Sequence, residues 1–98
     1  MWTVYILISL KNGSFYKGVT DNLERRLKEH NQGKEIYTSR FLPWKLAWSC
    51  EKKSFQEAIA LERKLKNITS RIRLLDFIQR QGGGPDAPSG GLDADNPV

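Results

Sequence analysis

The sequence predicts an α+β fold, a three-stranded antiparallel sheet flanked by three helices in the order ββαβαα. Three observations predict it. Two β-rich runs lie on either side of an Asn12-Gly13 turn signal, and a third run, residues 44–50, alternates with period two. Three further segments carry apolar residues at helical spacing, two of them behind capping sequences.

The first two strands are residues 2–9 (WTVYILIS) and 14–20 (SFYKGVT), rich in β-branched and aromatic types. With a four-residue loop, Leu10 to Gly13, Ser9 faces Ser14, Leu7 faces Tyr16 and Tyr5 faces Gly18. Tyr5 and Tyr16 are then diagonal neighbours on one face, and Gly18 leaves open space beside Tyr5. A two-residue Asn-Gly turn would keep the same face but move the pair too far apart to share a site, and a three-residue loop would put the two phenols on opposite faces. Asp21, with Glu24 three residues on, reads as the cap of a helix over residues 21–32, with Leu23 and Leu27 on its apolar stripe and Asn31-Gln32-Gly33 as its stop.

Residues 34–43 (KEIYTSRFLP) have no clean period and read as a loop carrying Tyr37 and Arg40. In the third strand, Trp44, Leu46, Trp48 and Cys50 recur at period two. Ser54 and Glu57 form a capping box for a helix over 55–66, and a last helix over 69–79 presents Ile68, Ile72 and Leu75 as one stripe, helped by Leu74 and Ile78.

The domain is expected to end near residue 80. Residues 81–98 hold five of the eight glycines, three of the four prolines, three aspartates and no lysine or arginine, so they read as a disordered tail. Residues 1–80 then carry 16 basic and 8 acidic side chains, a net of +8 against +5 for the whole chain. Such a surface attracts polyphosphate by releasing condensed counterions, although many basic proteins carry this charge for solubility alone. The single cysteine, Cys50, excludes an internal disulfide and a multi-cysteine zinc site, and it fits a reducing, cytoplasmic setting. The apolar start, MWTVYILISL, lacks a basic leader and alternates like a strand, so neither a signal peptide nor a membrane span is expected.

Several side chains resist a purely structural reading. On the first helix Glu24, Arg25, Lys28 and Glu29 share the solvated side, whereas His30 falls between Leu23 and Leu27, with Arg26 at the edge of the same stripe. On the next helix Ala58, Leu61 and Leu65 are apolar, but Glu62 occupies a slot that belongs to an aliphatic residue. A carboxylate there needs a positive partner, either a basic residue such as Arg26 or a divalent cation.

These residues resemble the compact, single-domain GIY-YIG nucleases. Thr3-Val4-Tyr5 stands in place of the first triplet and Tyr16-Lys17-Gly18 in place of the second. The match continues as Thr20-x-Asn22-Leu23-x-x-Arg26-Leu27-x-x-His30-Asn31 and later as Glu62-x-x-Leu65-Lys66. The resemblance implies a metal-dependent endonuclease that hydrolyses a DNA phosphodiester, acting in DNA repair or processing. It implies one Mg²⁺ or Mn²⁺ held mainly by Glu62, and Tyr5 as general base or water-orienting group, favoured as phenolate by nearby positive charge. Arg26 would bind the scissile phosphate, and Tyr16 and His30 would position water or phosphate. Lys17, Lys34, Arg40 and Lys45 are candidate backbone contacts.

Thr3, Val4 and Lys17 depart from the family pattern, and Lys17 should point away from the face carrying Tyr16. Asn67 lies near the position of a late polar residue common in the family. A domain this small has few places for base readout, which favours branched, nicked or flexible DNA as substrate and leaves room for a separate targeting protein. Two other readings stay open: a non-catalytic nucleic-acid-binding module, and a protein-interaction domain with Trp44 and Trp48 as an exposed anchor.

Overall fold

A computed structural model describes residues 1–80, and the expected tail over 81–98 lies outside the described residues. The chain runs β1 (Trp2–Ser9), β2 (Phe15–Thr20), α1 (Leu23–Asn31), α2 (Ile36–Ser39), β3 (Trp44–Lys52), α3 (Phe55–Lys66) and α4 (Arg71–Arg80). The sheet order is β2-β1-β3 with both pairings antiparallel, so β1 is central and β2 is an edge. The expected ββαβαα frame is therefore present, with one short extra helix. Among the described residues no helix is long and apolar enough to cross a membrane.

The hairpin has the expected register, pairing Tyr5 with Gly18 and Leu7 with Tyr16. The four-residue loop closes with the Ser9 amide donating to the Ser14 carbonyl (2.8 Å) and the Gly13 amide donating to the Ser9 carbonyl (2.8 Å). Gly13 takes φ 77°, a left-handed conformation that glycine adopts without a Cβ penalty. The Ser9 hydroxyl fastens the loop from inside by accepting from the Lys11 and Asn12 amides.

Alternation along β1 divides the core into two layers. Val4 and Ile6 face α3 and α4, packing with Trp48, Cys50, Ala58, Leu61, Leu65, Leu74 and Phe77. Tyr5 and Leu7 face the other way, with Trp44 and the partly buried Tyr16, Leu23, Leu27, Phe41, Leu42 and Leu46. β3 serves both layers because its register shifts between Ile6 and Leu7. Ile6 pairs with Trp48 but Leu7 pairs with Leu46, leaving Ala47 as the extra residue. Strict alternation would have placed Trp44, Leu46, Trp48 and Cys50 on one face; the bulge turns the first two toward α1 and the last two toward α3. Both tryptophans are core, 3% and 1% exposed, which removes the exposed-anchor reading.

The helices correct the sequence reading in three places. α1 begins at Leu23 with Asn22 as its cap, whose side chain accepts from the Arg25 amide (3.0 Å). Asp21 is still outside the helix, because the Thr20 hydroxyl accepts from the Asn22 amide and turns the chain first. Instead of capping, Asp21 pairs with Arg25 at 3.3 Å. The expected loop over 34–43 contains α2, a single turn held by tertiary contacts rather than by propensity: Thr38 is buried, and its carbonyl accepts from the Trp44 indole (2.8 Å). α4 starts at Arg71 and turns a different face inward, burying Leu74 and Phe77 while leaving Ile72 79% exposed. Leu75 is exposed as well. Phe77 stacks edge-on against Trp48 at 5.3 Å, an aromatic contact larger than the expected aliphatic stripe could supply. α3 is as expected, with the Ser54 hydroxyl accepting from the Glu57 amide.

Candidate active site

Tyr5 sits on the central strand, 1% exposed, with its ring directed at the α1 layer. The reason its cross-strand partner is a glycine is steric. A Cβ on Gly18 would lie 2.5 Å from the Tyr5 hydroxyl and 2.6 Å from the ring carbon bearing it. Tyr16 joins it on the same face, the two ring centroids 6.3 Å apart, as the four-residue loop requires.

α1 delivers the next two groups. His30 is fully buried, and its Nε2 lies 3.1 Å from the Tyr5 hydroxyl while its Nδ1 lies 3.1 Å from the Thr38 hydroxyl. Tyr16 closes over the imidazole edge-on at 4.8 Å. The result is a buried chain of hydrogen-bonding groups, Thr38 to His30 to Tyr5, drawn from α2, α1 and β1.

Arg26 stands one turn before His30. Its guanidinium is held by Glu29 (3.1 Å) and, more closely, by Glu35, and its charge acts on the Tyr5 phenol. Burial opposes its charge, but those partners outweigh burial and keep the cation firmly protonated. Glu35 is in turn held below the usual carboxylate range by its hydrogen bond to Arg26.

Glu62 belongs to α3, the layer on the other face of the sheet, yet it is near enough for its charge to bear on the Tyr5 phenol. Its side chain is 16% exposed and pairs with Lys66 at 3.5 Å. The expected ion pair of Glu62 is met by a neighbouring basic residue, Lys66, and not by Arg26, whose guanidinium Glu29 and Glu35 hold.

These surroundings also correct the expected phenolate. Burial first, then the neighbouring Tyr16 and the Glu62 charge, push the Tyr5 phenol up to about 12 against the opposing pull of Arg26. Tyr5 is therefore protonated at neutral pH. Burial and the Arg26 charge lower the His30 pKa, so the imidazole beside it is neutral and can accept a proton.

The profile of the GIY-YIG catalytic domain matches residues 1–74. The chain belongs to the GIY-YIG family. Members of this family are in general nucleases that use divalent metals. Among similar proteins, a UPF0213 protein of Bacillus licheniformis is 35% identical over 81 residues, covering 80% of this chain and 84% of the relative. A putative GIY-YIG domain-containing protein of Invertebrate iridescent virus 6 is 35% identical over 75 residues, covering 74% of this chain and 75% of that protein. The solution NMR structure of a UPF0213 protein from Bacillus halodurans superposes with a TM-score of 0.55 at 36% identity, covering 87% of this chain and 89% of that one.

Of the other residues that the GIY-YIG resemblance singled out, Lys17 lies on the face opposite Tyr16, as alternation requires. Its ammonium donates to the carbonyls of Leu65 (2.8 Å) and Ile68 (3.1 Å), tying β2 to the end of α3. Lys34 and Arg40 are exposed and bracket α2, close in sequence to Glu35 and Thr38. Lys45 is exposed on β3, the sheet edge remote from β2. Asn67 forms the C-cap of α3. Glu35 and Thr38 touch the site but were not singled out from sequence, because residues 34–43 show no period; the one available signal was that Arg26 on an apolar stripe needs an acid.

Among the described residues no group of three or more histidine, cysteine, aspartate or glutamate side chains could cage a metal. A single, partly shielded carboxylate nevertheless suits Mg²⁺, which keeps several waters and binds through one or two carboxylates plus substrate phosphate. Glu62 would meet that requirement on exchanging Lys66 for the cation.

Proposed function

We propose that this domain is a metal-dependent endonuclease that hydrolyses a phosphodiester bond in DNA, acting in DNA repair or processing in the cytoplasm. The observation that carries the reading is the buried Thr38–His30–Tyr5 chain, with the Arg26 and Glu62 charges acting on the Tyr5 phenol. Family membership and the net charge of +8 over residues 1–80 support a polyanionic substrate.

In this reading Tyr5 relays a proton rather than standing ready as phenolate. With Nδ1–H donated to the Thr38 hydroxyl, His30 presents its Nε2 lone pair to the phenol. The attacking water gives a proton to the Tyr5 oxygen as the phenolic proton moves to His30 Nε2, the new oxygen–phosphorus bond forms and the bond to the leaving oxygen breaks. That oxygen takes a proton from solvent, and His30 then returns its own to solvent. Arg26 leaves one of its carboxylate partners to bind the scissile phosphate and stabilise its developing charge. Tyr16 packs the imidazole in place. Glu62 would hold Mg²⁺ or Mn²⁺, which when bound would polarise the phosphate and stabilise the leaving oxygen. Lys34 and Arg40 contact the backbone at the rim, and the small surface favours branched, nicked or flexible DNA, with a separate protein supplying any further targeting.

Incubation with supercoiled plasmid and Mg²⁺ tests this. Wild type is expected to nick the plasmid, whereas Glu62→Ala and Arg26→Ala do not. Binding by wild type without nicking, on plasmid and on branched oligonucleotides alike, would replace the nuclease with a non-catalytic binding module of the same fold.

A further inference from the structure

On the face of the sheet opposite the tyrosines, where α3 ends and α4 begins, lies a cavity of about 300 Å³. Three cations line it, Lys17, Lys66 and Arg71, together with the hydroxyl residues Thr69 and Ser70, and no acidic residue is among its lining. Each cation is placed by the fold. Lys17 is fixed by its bonds to the Leu65 and Ile68 carbonyls, which use two of its three ammonium hydrogens. Arg71 stacks over the Phe15 ring at 4.9 Å and donates to the Gly13 carbonyl of the hairpin loop. Lys66 is close enough to lower the Lys17 pKa, behind burial as the larger cause. Lys17 is half-buried while Lys66 and Arg71 are exposed, so an anion seated among them would meet three positive charges, one of them shared with Glu62.

The cavity also has a position relative to the candidate site. Lys66 bridges the two, since its ammonium lies 3.5 Å from the Glu62 carboxylate one helical turn away. We propose that the recess formed by Lys17, Lys66, Thr69, Ser70 and Arg71 seats a backbone phosphate of the DNA strand, on the side of Lys66 away from Glu62. This rests on the DNA reading above. It also gives a role to Lys17, which occupies the position of an isoleucine in the family pattern: a cation there extends the phosphate track around edge strand β2 to the second face of the sheet.

The test uses the full chain and two probes. In the first, ¹⁵N-resolved spectra are recorded during titration with inorganic phosphate, against chloride at matched ionic strength. Saturable shifts centred on the amides of Lys66, Ser70 and Arg71 are expected, weakened in Lys17→Met and in Arg71→Gln. In the second, the dissociation constant of a DNA duplex is measured against salt. Each variant is expected to bind more weakly and to lose about 0.9 from the slope of log affinity against log salt, the loss of one phosphate contact. Arg71→Gln serves as the control should Lys17→Met unfold through loss of its tie to α3. Absence of saturable shifts overturns the proposal, and so do phosphate shifts accompanied by a wild-type salt slope in both variants, which would mark an adventitious anion site. If both expectations hold and no DNA is cleaved, the phosphate seat stands and the nuclease reading falls.

Discussion

Replacing Gly18 with alanine tests the link between the motif glycine and the phenol it faces. The added Cβ would lie 2.5 Å from the Tyr5 hydroxyl, 2.6 Å from the carbon bearing it and 3.0 Å from a ring edge carbon. All three atoms belong to a rigid ring that is 1% exposed, so the clash cannot be relieved by swinging a flexible tail into solvent. Either the ring leaves His30 Nε2, now 3.1 Å from its hydroxyl, or β2 moves away from β1. Overpacking of this kind costs about 1–3 kcal/mol, which lowers the melting temperature of a domain this size by roughly 5–20 °C. In the first outcome the phenol loses its proton acceptor, and cleavage should fall by about 10²-fold or more. In the second, Tyr16 is drawn off the His30 ring. The assay pairs thermal melts with plasmid nicking at a temperature where the variant is folded. In a Tyr5→Phe background the alanine should cost less, because the closest of the three contacts disappears. A folded Gly18→Ala protein with wild-type cleavage would refute the claim that Tyr5 needs its observed place.

Three further outcomes follow from the same contacts. Thr38→Val removes the hydroxyl facing buried His30 Nδ1; it should cost about 1–3 kcal/mol in urea unfolding and reduce kcat with little change in KM, and an unchanged kcat would remove Thr38 from the relay. Glu35→Gln takes one carboxylate from Arg26 without changing shape, so DNA binding measured by fluorescence anisotropy should tighten by roughly two- to fivefold; weaker binding would mean that Glu35 serves only to hold Arg26 in place. The lowered His30 pKa makes stability depend on pH. Above about 6.5 the imidazole is neutral in folded and unfolded chains and the stabilisation is fully present. As pH falls below that, the unfolded chain takes up the proton first, and stability is lost until the folded pKa is passed. Urea midpoints between pH 7.5 and 5 should therefore decline more steeply for wild type than for His30→Gln, and parallel curves would contradict the shift.

Local signals carried much of the fold. The Asn12-Gly13 turn located the hairpin, and period-two alternation with an assumed four-residue loop gave the shared face of Tyr5 and Tyr16 and the opposite face of Lys17. Helical spacing was enough to turn His30 inward and to mark Glu62 as out of place, since both inferences need only the angle between neighbours on one helix. What stayed hidden depended on partners far along the chain. Ala47 carries no mark of a bulge; the register shift follows from a sheet that must give one tryptophan to each of its two layers. α4 has apolar residues on more than one side, so its rotation was decided by the Phe77–Trp48 contact and not by its own pattern. Glu35 and Thr38 reach the site from a single turn with no periodicity, held there by Arg26 and His30. The charge state of Tyr5 was equally out of reach, because it is a balance of burial against Arg26 that needs coordinates to weigh.

The central claim is that a hairpin phenol, an α1 imidazole and guanidinium, and an α3 carboxylate serve one metal-dependent centre. Paramagnetic broadening by Mn²⁺ reports that proximity directly. Titrating the full chain with substoichiometric Mn²⁺ should broaden resonances of Glu62 together with the side chains of Tyr5 and His30, and Glu62→Gln should abolish the effect. Broadening that is diffuse, confined to other carboxylates or unchanged by Glu62→Gln would contradict the account.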